Sequence, residues 1–352
     1  MTRKRLIFFG ELPPESVHGV AIANSLNLNM LKSSFEVEIV KEFNSLSEHD
    51  KVSLKKVIKV FKYNFVILSK AIFHKYEYFY LTFSISAFGS FKTLTAIICF
   101  RLFNRGKVVL HIHRGDFFTR FNKNLINRTI SKLVITFSDR IIVLSDNQKS
   151  EFEATYNTPC YILPNTIEIE YQPNLNIRKN CNFIYVSNYL VDKGIIELLE
   201  VFTKLLKQYQ KITLKTYGAF SDTGLKEAIL KFKSPEISIM GPINGINKFI
   251  EIAESDCLIL PSWNEGQPIV LLEAMSVGTP IIATRVGLIP ELLGTDYPFF
   301  TLPGNKGSLE QKMIQFINKE NTNSISQNLN NRYLSIYSQK KHQEQLDNIF
   351  TL

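Results

Sequence analysis

The stretch "LPSWNEGQPIVLLEAMSVGTPIIA", residues 260–283, decides how the chain is read. Its start completes "CLILP", a short apolar strand, and its end opens a second one, "PIIAT". Between them "SWNEG" is a loop and "IVLLEAM" is apolar on nearly every face, the pattern of a buried helix. Pro268 suits the first helical position, where its missing N–H costs nothing. The backbone N–H groups around Gly266, Gln267 and Ile269 then point out of a helix start, an end that carries partial positive charge and can hold phosphate. Two carboxylates stand out, Glu265 in the loop and Glu273 in the helix, roughly 7 Å further along. A buried carboxylate needs donors. Ligand hydroxyls would serve, and so would an internal Lys or Arg.

Working outward, strands and helices alternate along the whole chain. "RLIFF", "VEIV", "YFYLTF", "KVVLHIH", "RIIVLS" and "CYIL" read as strands, with helical-period segments such as "GVAIANSLNLNML" and "NKNLINRTISKLVITF" among them. This is the rhythm of a parallel, doubly wound sheet. The polar segment "LPNTIEIEYQPNLNIRKN" interrupts it, and "NFIYVS", "ITLKTYG", "ISIMG", "CLILP" and "PIIAT" begin it again. The expected architecture is therefore α/β, with two Rossmann-like doubly wound domains facing each other across a cleft. The first spans 1–170 and the second 171–352, the last helix being able to cross back to the first. The asparagine-rich "NKENTNSISQNLNNRY" reads as a loop before that helix. Ligands of such sheets bind beyond the carboxyl ends of the strands.

Composition fits a globular protein: 352 residues, 45% apolar and 21% charged. Cys99, Cys160, Cys181 and Cys257 form no C-x-x-C pair and read as reduced thiols. The opening "MTRKRLIFFGELPPES" has too short an apolar run for a secretory leader, and no run reaches the roughly 18 residues of a spanning helix. The net charge of +9 is uneven. Residues 1–170 hold 23 Lys and Arg against 15 Asp and Glu, an excess of +8; residues 171–352 hold 18 against 17, an excess of +1. The basic half calls for a phosphate-rich partner: a membrane, a nucleic acid or a phosphorylated substrate. Within it, "KVSLKKVIKVFKYNFVILSKAIFHK" sets Lys55, Lys59 and Lys62 beside Leu54, Val57, Ile58 and Phe61 at helical spacing. Such a helix lies on an anionic membrane or packs its apolar side on the sheet.

Lys193, in "DKG", begins a helix, where the dipole disfavours a cation unless an anion is present. "GELPPESVHGVA" is an open loop leading into a helix at Gly19, and could bring amides to a phosphate. In "VVLHIHRGDF", alternation puts His111 and His113 on one face, with no third metal ligand in view.

"ILPSWNEGQPIVLLEAMSVGTPIIATRVGLIPELL" resembles the signature of the retaining glycosyltransferases of family four, which have the GT-B fold. "YVSNYLVDKGIIELLEVF", "SDRIIVLSDNQKS" and "YILPNTIE" are similar to further family segments, in the right order. The resemblance implies that Glu265 lies beside the donor sugar and Glu273 on the nucleotide ribose. It implies that the Gly266, Gln267, Pro268 and Ile269 segment meets sugar and diphosphate through its backbone, and that Lys193 meets the diphosphate. His113 is implied as the active-site histidine, on the donor sugar, with Asp116 nearby and His111 as a packed sheet residue. Two departures stand out: Ser187–Asn188 replaces the usual Gly-Arg, so Asn188 carries no charge to the leaving group, and His18–Gly19 replaces Gly-Gly. There is no Asp-x-Asp triplet, so neither metal nor cofactor is expected.

The implied activity is transfer from a nucleotide diphosphate sugar to an acceptor hydroxyl with retention of the anomer. The implied acceptor is a saccharide or polyprenyl-linked saccharide in bacterial surface polysaccharide synthesis (capsule, O-antigen or exopolysaccharide). The implied location is cytoplasmic, with peripheral association at the inner membrane face. The alternatives are a nucleotide-sugar epimerase of the same fold or a non-catalytic nucleic-acid-binding protein. No aromatic-interleaved basic stripe supports the latter, and no nucleic-acid partner is expected.

Overall fold

Runs such as Leu6–Phe9 and Val108–Leu110 are apolar at every position, so each needs a sheet covered on both faces. A computed structural model of the chain provides such sheets. It describes residues 3–16, 18–42, 54–84, 86–115, 117–118, 125–169, 171, 181–220, 222–319 and 322–351. The chain divides into two compact units, Met1–Asn165 with His342–Leu352, and Thr166–Lys341.

In unit 1 the order is β1 (Arg5–Glu11), α1 (Gly19–Ser34), β2 (Glu36–Glu42), α2 (Leu54–Phe73), β3 (Tyr78–Thr82), α3 (Ala87–Arg101), β4 (Lys107–His111), α4 (Leu125–Thr136), β5 (Arg140–Val143), α5 (Asp146–Thr155) and β6 (Cys160–Ile162). The strands pair in parallel in the order β2-β1-β3-β4-β5-β6. The two-residue pleat divides β1 between two cores. Ile7 and Phe9 join Tyr63, Ile67 and Ala71 of α2 and Ala96, Ile97 and Phe100 of α3 on one face. Leu6 and Phe8 join Leu28 and Leu31 of α1 on the other, together with Leu346, Ile349 and Phe350 from the end of the chain.

Unit 2 runs β7 (Cys181–Val186), α6 (Ile195–Leu206), β8 (Ile212–Tyr217), α7 (Thr223–Leu230), β9 (Ile237–Met240), α8 (Gly245–Glu254), β10 (Cys257–Leu260), α9 (Ile269–Ser276), β11 (Ile281–Thr284), α10 (Ile289–Leu293), β12 (Phe300–Thr301), α11 (Lys306–Ile317) and α12 (Asn323–Arg332). Its sheet, again parallel, has the order β12-β11-β10-β7-β8-β9. Growth proceeds from β7 outward through β8 and β9, then returns to build from β10 on the other side. The reversal between β7 and β10 is the switch point at which ligands of doubly wound sheets bind.

One expectation is corrected. The asparagine-rich segment is not a loop throughout: Asn323–Arg332 is helical. Its low propensity is overcome by packing. Ile325 and Leu329 are buried, Asn330 Nδ2 donates to the Ser276 carbonyl at the end of α9 (2.6 Å), and Arg332 donates to the carbonyls of Leu292 (2.8 Å) and Glu291 (2.7 Å).

A last helix, α13 (Gln339–Thr351), completes unit 1. Its Phe350 meets Tyr78 edge-on at 4.9 Å between centroids and Phe35 at 5.5 Å. The Tyr78 hydroxyl donates to the Phe350 carbonyl at 2.5 Å, and Arg140 donates to that of Ile349. Phe350→Ala should therefore lower the urea stability of unit 1 by about 3–5 kcal/mol. A loss under about 1 kcal/mol would show that the core closes without this helix.

Candidate active site

Because β7 and β10 lie side by side, the loops that leave their carboxyl ends are neighbours. Backbone geometry locks them together. After β7, Val191–Lys193 forms a single 3₁₀ turn and ends on Gly194, whose φ of 69° favours glycine. A Cβ there would stand 2.3 Å from the Pro261 carbonyl oxygen, so only glycine lets the β7 loop lie against the β10 loop. Trp263 N–H donates to the Asp192 carbonyl (2.8 Å) and completes the join. The loop after β11 closes from the other side. Thr284 Oγ1 donates to the Ser262 carbonyl (2.5 Å), and Leu288 N–H to that of Gly266 (3.2 Å). A Cβ on Gly287, which has φ of 53°, would stand 1.8 Å from the Glu265 carbonyl oxygen. The β10 loop is thus held from both sides, at Pro261 and Trp263 by the β7 loop and at Glu265 and Gly266 by the β11 loop.

Side chains use that frame. Lys193 Nζ donates to Glu265 Oε1 at 2.7 Å, joining the loops across the switch point. The Glu265 side chain is 10% exposed and that of Lys193 22%, so the pair is shielded but reachable. The sequence led us to expect Lys193 at a helix start facing a foreign anion. In the structure it ends the 3₁₀ turn ahead of α6, and the anion beside it is Glu265. Pro268 caps α9 rather than opening it, so the helix starts one residue later than expected, while Gln267 is buried beside it and Gly266 half-buried. Ile269, the first helical residue, is buried. Glu273 is buried mid-helix and forms an ion pair with Lys248 of α8. Of the two partners left open by the sequence, the internal cation is present. Asn188 is half-buried after β7, and its carbonyl accepts from the Tyr185 hydroxyl (3.3 Å) and from Leu190 N–H (2.9 Å).

The remaining candidates belong to unit 1. Gly19 opens α1 just after β1, and the preceding His18 Nε2 lies 2.5 Å from Glu11 Oε2. His113 follows β4, is buried, and stacks on His111 with 3.8 Å between ring centroids. Burial drives its imidazole down to about 4, against the pull of Asn165 beside the ring, so it is neutral at pH 7. His111 is held still more firmly neutral, chiefly by burial. Asp116 lies outside the described residues.

The sequence reading missed a third buried histidine, His342 of α13. Its Nδ1 donates to the Pro164 carbonyl (2.7 Å) and its Nε2 lies 2.6 Å from the Asn27 side-chain amide. That amide also reaches the Tyr80 hydroxyl (3.1 Å), itself 2.5 Å from His111 Nδ1. Lys248 and the scaffolding roles of Gly194 and Gly287 were missed as well. Both glycines stood in the quoted motifs, where a glycine beside a conspicuous charge was the available signal; Lys248 and His342 had none.

At the switch point the arrangement presents a cation, a shielded carboxylate and a helix start on a rigid backbone. It can bind an anion and place a negative charge beside it. Among the described residues no group of three or more His, Cys, Asp or Glu is placed to hold a metal ion.

Residues 168–332, most of unit 2, match the family model described as glycosyl transferases group 1. An uncharacterized glycosyltransferase of Haemophilus influenzae is 28% identical over 223 residues, which cover 60% of this chain and 57% of that protein. The matched region is thus less than two thirds of that relative's length. Among solved structures, sucrose-phosphate synthase from Thermosynechococcus elongatus superposes with a TM-score of 0.79 at 13% identity, covering 99% of this chain and 98% of that one. HepE of Anabaena, solved in complex with UDP-glucose, gives 0.74 at 16% identity, covering 98% and 99%. The fold is that of GT-B proteins, two Rossmann-like units in one chain.

The histidine cluster makes a pH prediction. His113 and His342 are both pushed down to about 4 by burial, whereas an unfolded histidine titrates near 6.5. Between those values the unfolded chain binds more protons, so the stabilisation is complete above about pH 6.5 and is lost as pH falls through about 4, up to about 3 kcal/mol per histidine. Urea midpoints of unit 1 should fall across that window, and less steeply in His342→Gln. Equal slopes in the two proteins would contradict the assignment to His342.

Proposed function

We propose that the chain is a retaining glycosyltransferase. Unit 2 holds a nucleotide diphosphate sugar at its switch point, and the sugar passes to a hydroxyl of a saccharide acceptor. The observation that carries this reading is the Lys193–Glu265 pair, 2.7 Å apart on adjoining loops whose backbone is locked. The match of residues 168–332 to glycosyl transferases group 1 supports it.

The chemistry follows from the charges. The diphosphate lies on the start of α9, over the Gly266, Gln267, Pro268 and Ile269 segment, and against the Lys193 ammonium. As the bond between the anomeric carbon and the phosphate oxygen breaks, negative charge grows on that oxygen, and Lys193 stabilises it. Asn188, half-buried on the same loop, adds a hydrogen bond but no charge. Positive charge grows on the sugar ring at the same time, and Glu265 stabilises that. The acceptor oxygen bonds to the anomeric carbon from the face the phosphate leaves, and its proton goes to the departing phosphate oxygen, so the anomer is retained. Glu273, oriented by Lys248, takes the ribose hydroxyls. In unit 1, Gly19 offers the start of α1 to an anion and the neutral His113 a hydrogen bond to a sugar hydroxyl. The acceptor is a lipid-linked saccharide of a bacterial surface polysaccharide, a reading supported by the +8 excess of residues 1–170 and by the resemblance.

UDP-glucose is the first donor to try, because HepE was solved with it. UDP-, GDP- and ADP-sugars are then ranked by the rise in melting temperature each produces. With the best of them, Glu265→Gln should lose about 100-fold or more in turnover while the nucleotide alone still raises its melting temperature. Turnover equal to wild type in that variant, or an inverted anomer in the product, would overturn the proposal. Sugar conversion without any acceptor would favour the epimerase.

A further inference from the structure

Helix α2 has two apolar stripes, and the structure uses one of them. Tyr63, Ile67 and Ala71 pack in the sheet's core and Val60 is buried in line with them, the four residues spaced three and four apart. Leu54, Ile58, Phe61 and Phe65, equally spaced, point away, with Phe61 72% and Phe65 73% exposed. Ile72 and Phe73 extend the exposed set. The sequence had assigned Leu54, Val57, Ile58 and Phe61 either to a membrane or to the sheet; the sheet takes a different stripe.

The neighbouring helices do the same. Helix α3 packs against both α2 and α4. On its outer side Phe91 and Ile98 are exposed, followed by Leu102 and Phe103 just past its end; on α4, Leu125, Ile126 and Leu133 are exposed. Exposed apolar side chains thus recur on three adjoining helices of one layer, the kind of grouping that marks an interaction site.

Charge identifies the occupant. Helices α2, α3 and α4 carry five, two and two Lys or Arg and no Asp or Glu. Three of these cations turn inward: Lys70 to Glu38, Lys92 to Glu42 and Arg101 to Asp139. Lys55, Lys62, Arg128 and Lys132 are exposed among the apolar side chains. Among the described residues of these three helices, exposed cations and no carboxylates surround the protruding phenylalanines, which matches a surface that is anionic outside and hydrocarbon just beneath. Among the described residues no helix is long and apolar enough to cross a membrane. We infer that the outer face of α2, α3 and α4 docks unit 1 on an anionic lipid bilayer, with Phe61 and Phe65 inserted below headgroups that Lys55 and Lys62 contact. This inference does not depend on the glycosyl-transfer reading.

Flotation of the full chain with vesicles of phosphatidylcholine, with and without phosphatidylglycerol, tests it. The protein should float with the anionic vesicles only, and less of it at high salt. Phe61→Ser/Phe65→Ser and Lys55→Glu/Lys62→Glu should each lower the bound fraction about tenfold or more, with circular dichroism and melting temperature unchanged. Either pair that melts early is replaced by the single variants Phe61→Ser and Lys62→Glu, read in the same way. Wild type that ignores anionic vesicles, or variants that bind as wild type does, would overturn the inference. So would a lipid-free dimer that these substitutions dissolve, since a second copy would then be what covers the face.

Discussion

The Lys193–Glu265 ion pair depends on a backbone constraint. Loops from adjacent parallel strands come this close only where one of them has no side chain at the point of approach, and Gly194 against Pro261 and Gly287 against Glu265 meet that requirement. Each has a positive φ, and each would place a Cβ far inside the van der Waals contact distance of a carbonyl oxygen, of Pro261 and Glu265 respectively. The frame fixes the two backbones, and the side chains then meet through their own 2.7 Å contact. On the proposed reading, a carboxylate whose backbone is fixed in this way is already in place when the donor arrives. A free one would turn toward whichever cation was nearest.

This frame was partly legible in the sequence. Strand positions, the parallel doubly wound class and the Glu265–Glu273 spacing follow from local apolar patterns, because buried strands and a buried helix leave dense runs of Val, Ile and Leu. What failed was set by tertiary contact. The segment Asn323–Arg332 lacks helical propensity and becomes a helix because Ile325 and Leu329 find a core and Asn330 an acceptor on α9. Helix α2 showed apolar and basic sides, yet periodicity could not say which of two apolar stripes the sheet would take. Lys248 gave no sign of meeting Glu273, 25 positions later, since an ion pair between helices has no local signature.

The units differ in how they hold charge. Unit 2 is nearly neutral by sequence, and two of its ion pairs, Lys193–Glu265 and Lys248–Glu273, are largely buried. Unit 1 holds three buried, neutral histidines on one side of the polar network through Asn27 and Tyr80, and spreads its cations over α2, α3 and α4. On the proposed reading the nucleotide sugar meets the first arrangement and the lipid-linked acceptor the second. The return of α13 to unit 1 makes His342 and Phe350 parts of its core, so the last residues of the chain help to set the environment of His111.

The central claim is that a nucleotide diphosphate sugar occupies the switch point of unit 2. Backbone hydrogen exchange with and without saturating UDP-glucose measures this directly, amide by amide. The account predicts slowed exchange concentrated in residues 187–194 and 263–269, the loops after β7 and β10, while the amides along α7 and α11 exchange as before. Protection that spares both loops and appears elsewhere in unit 2 would contradict it.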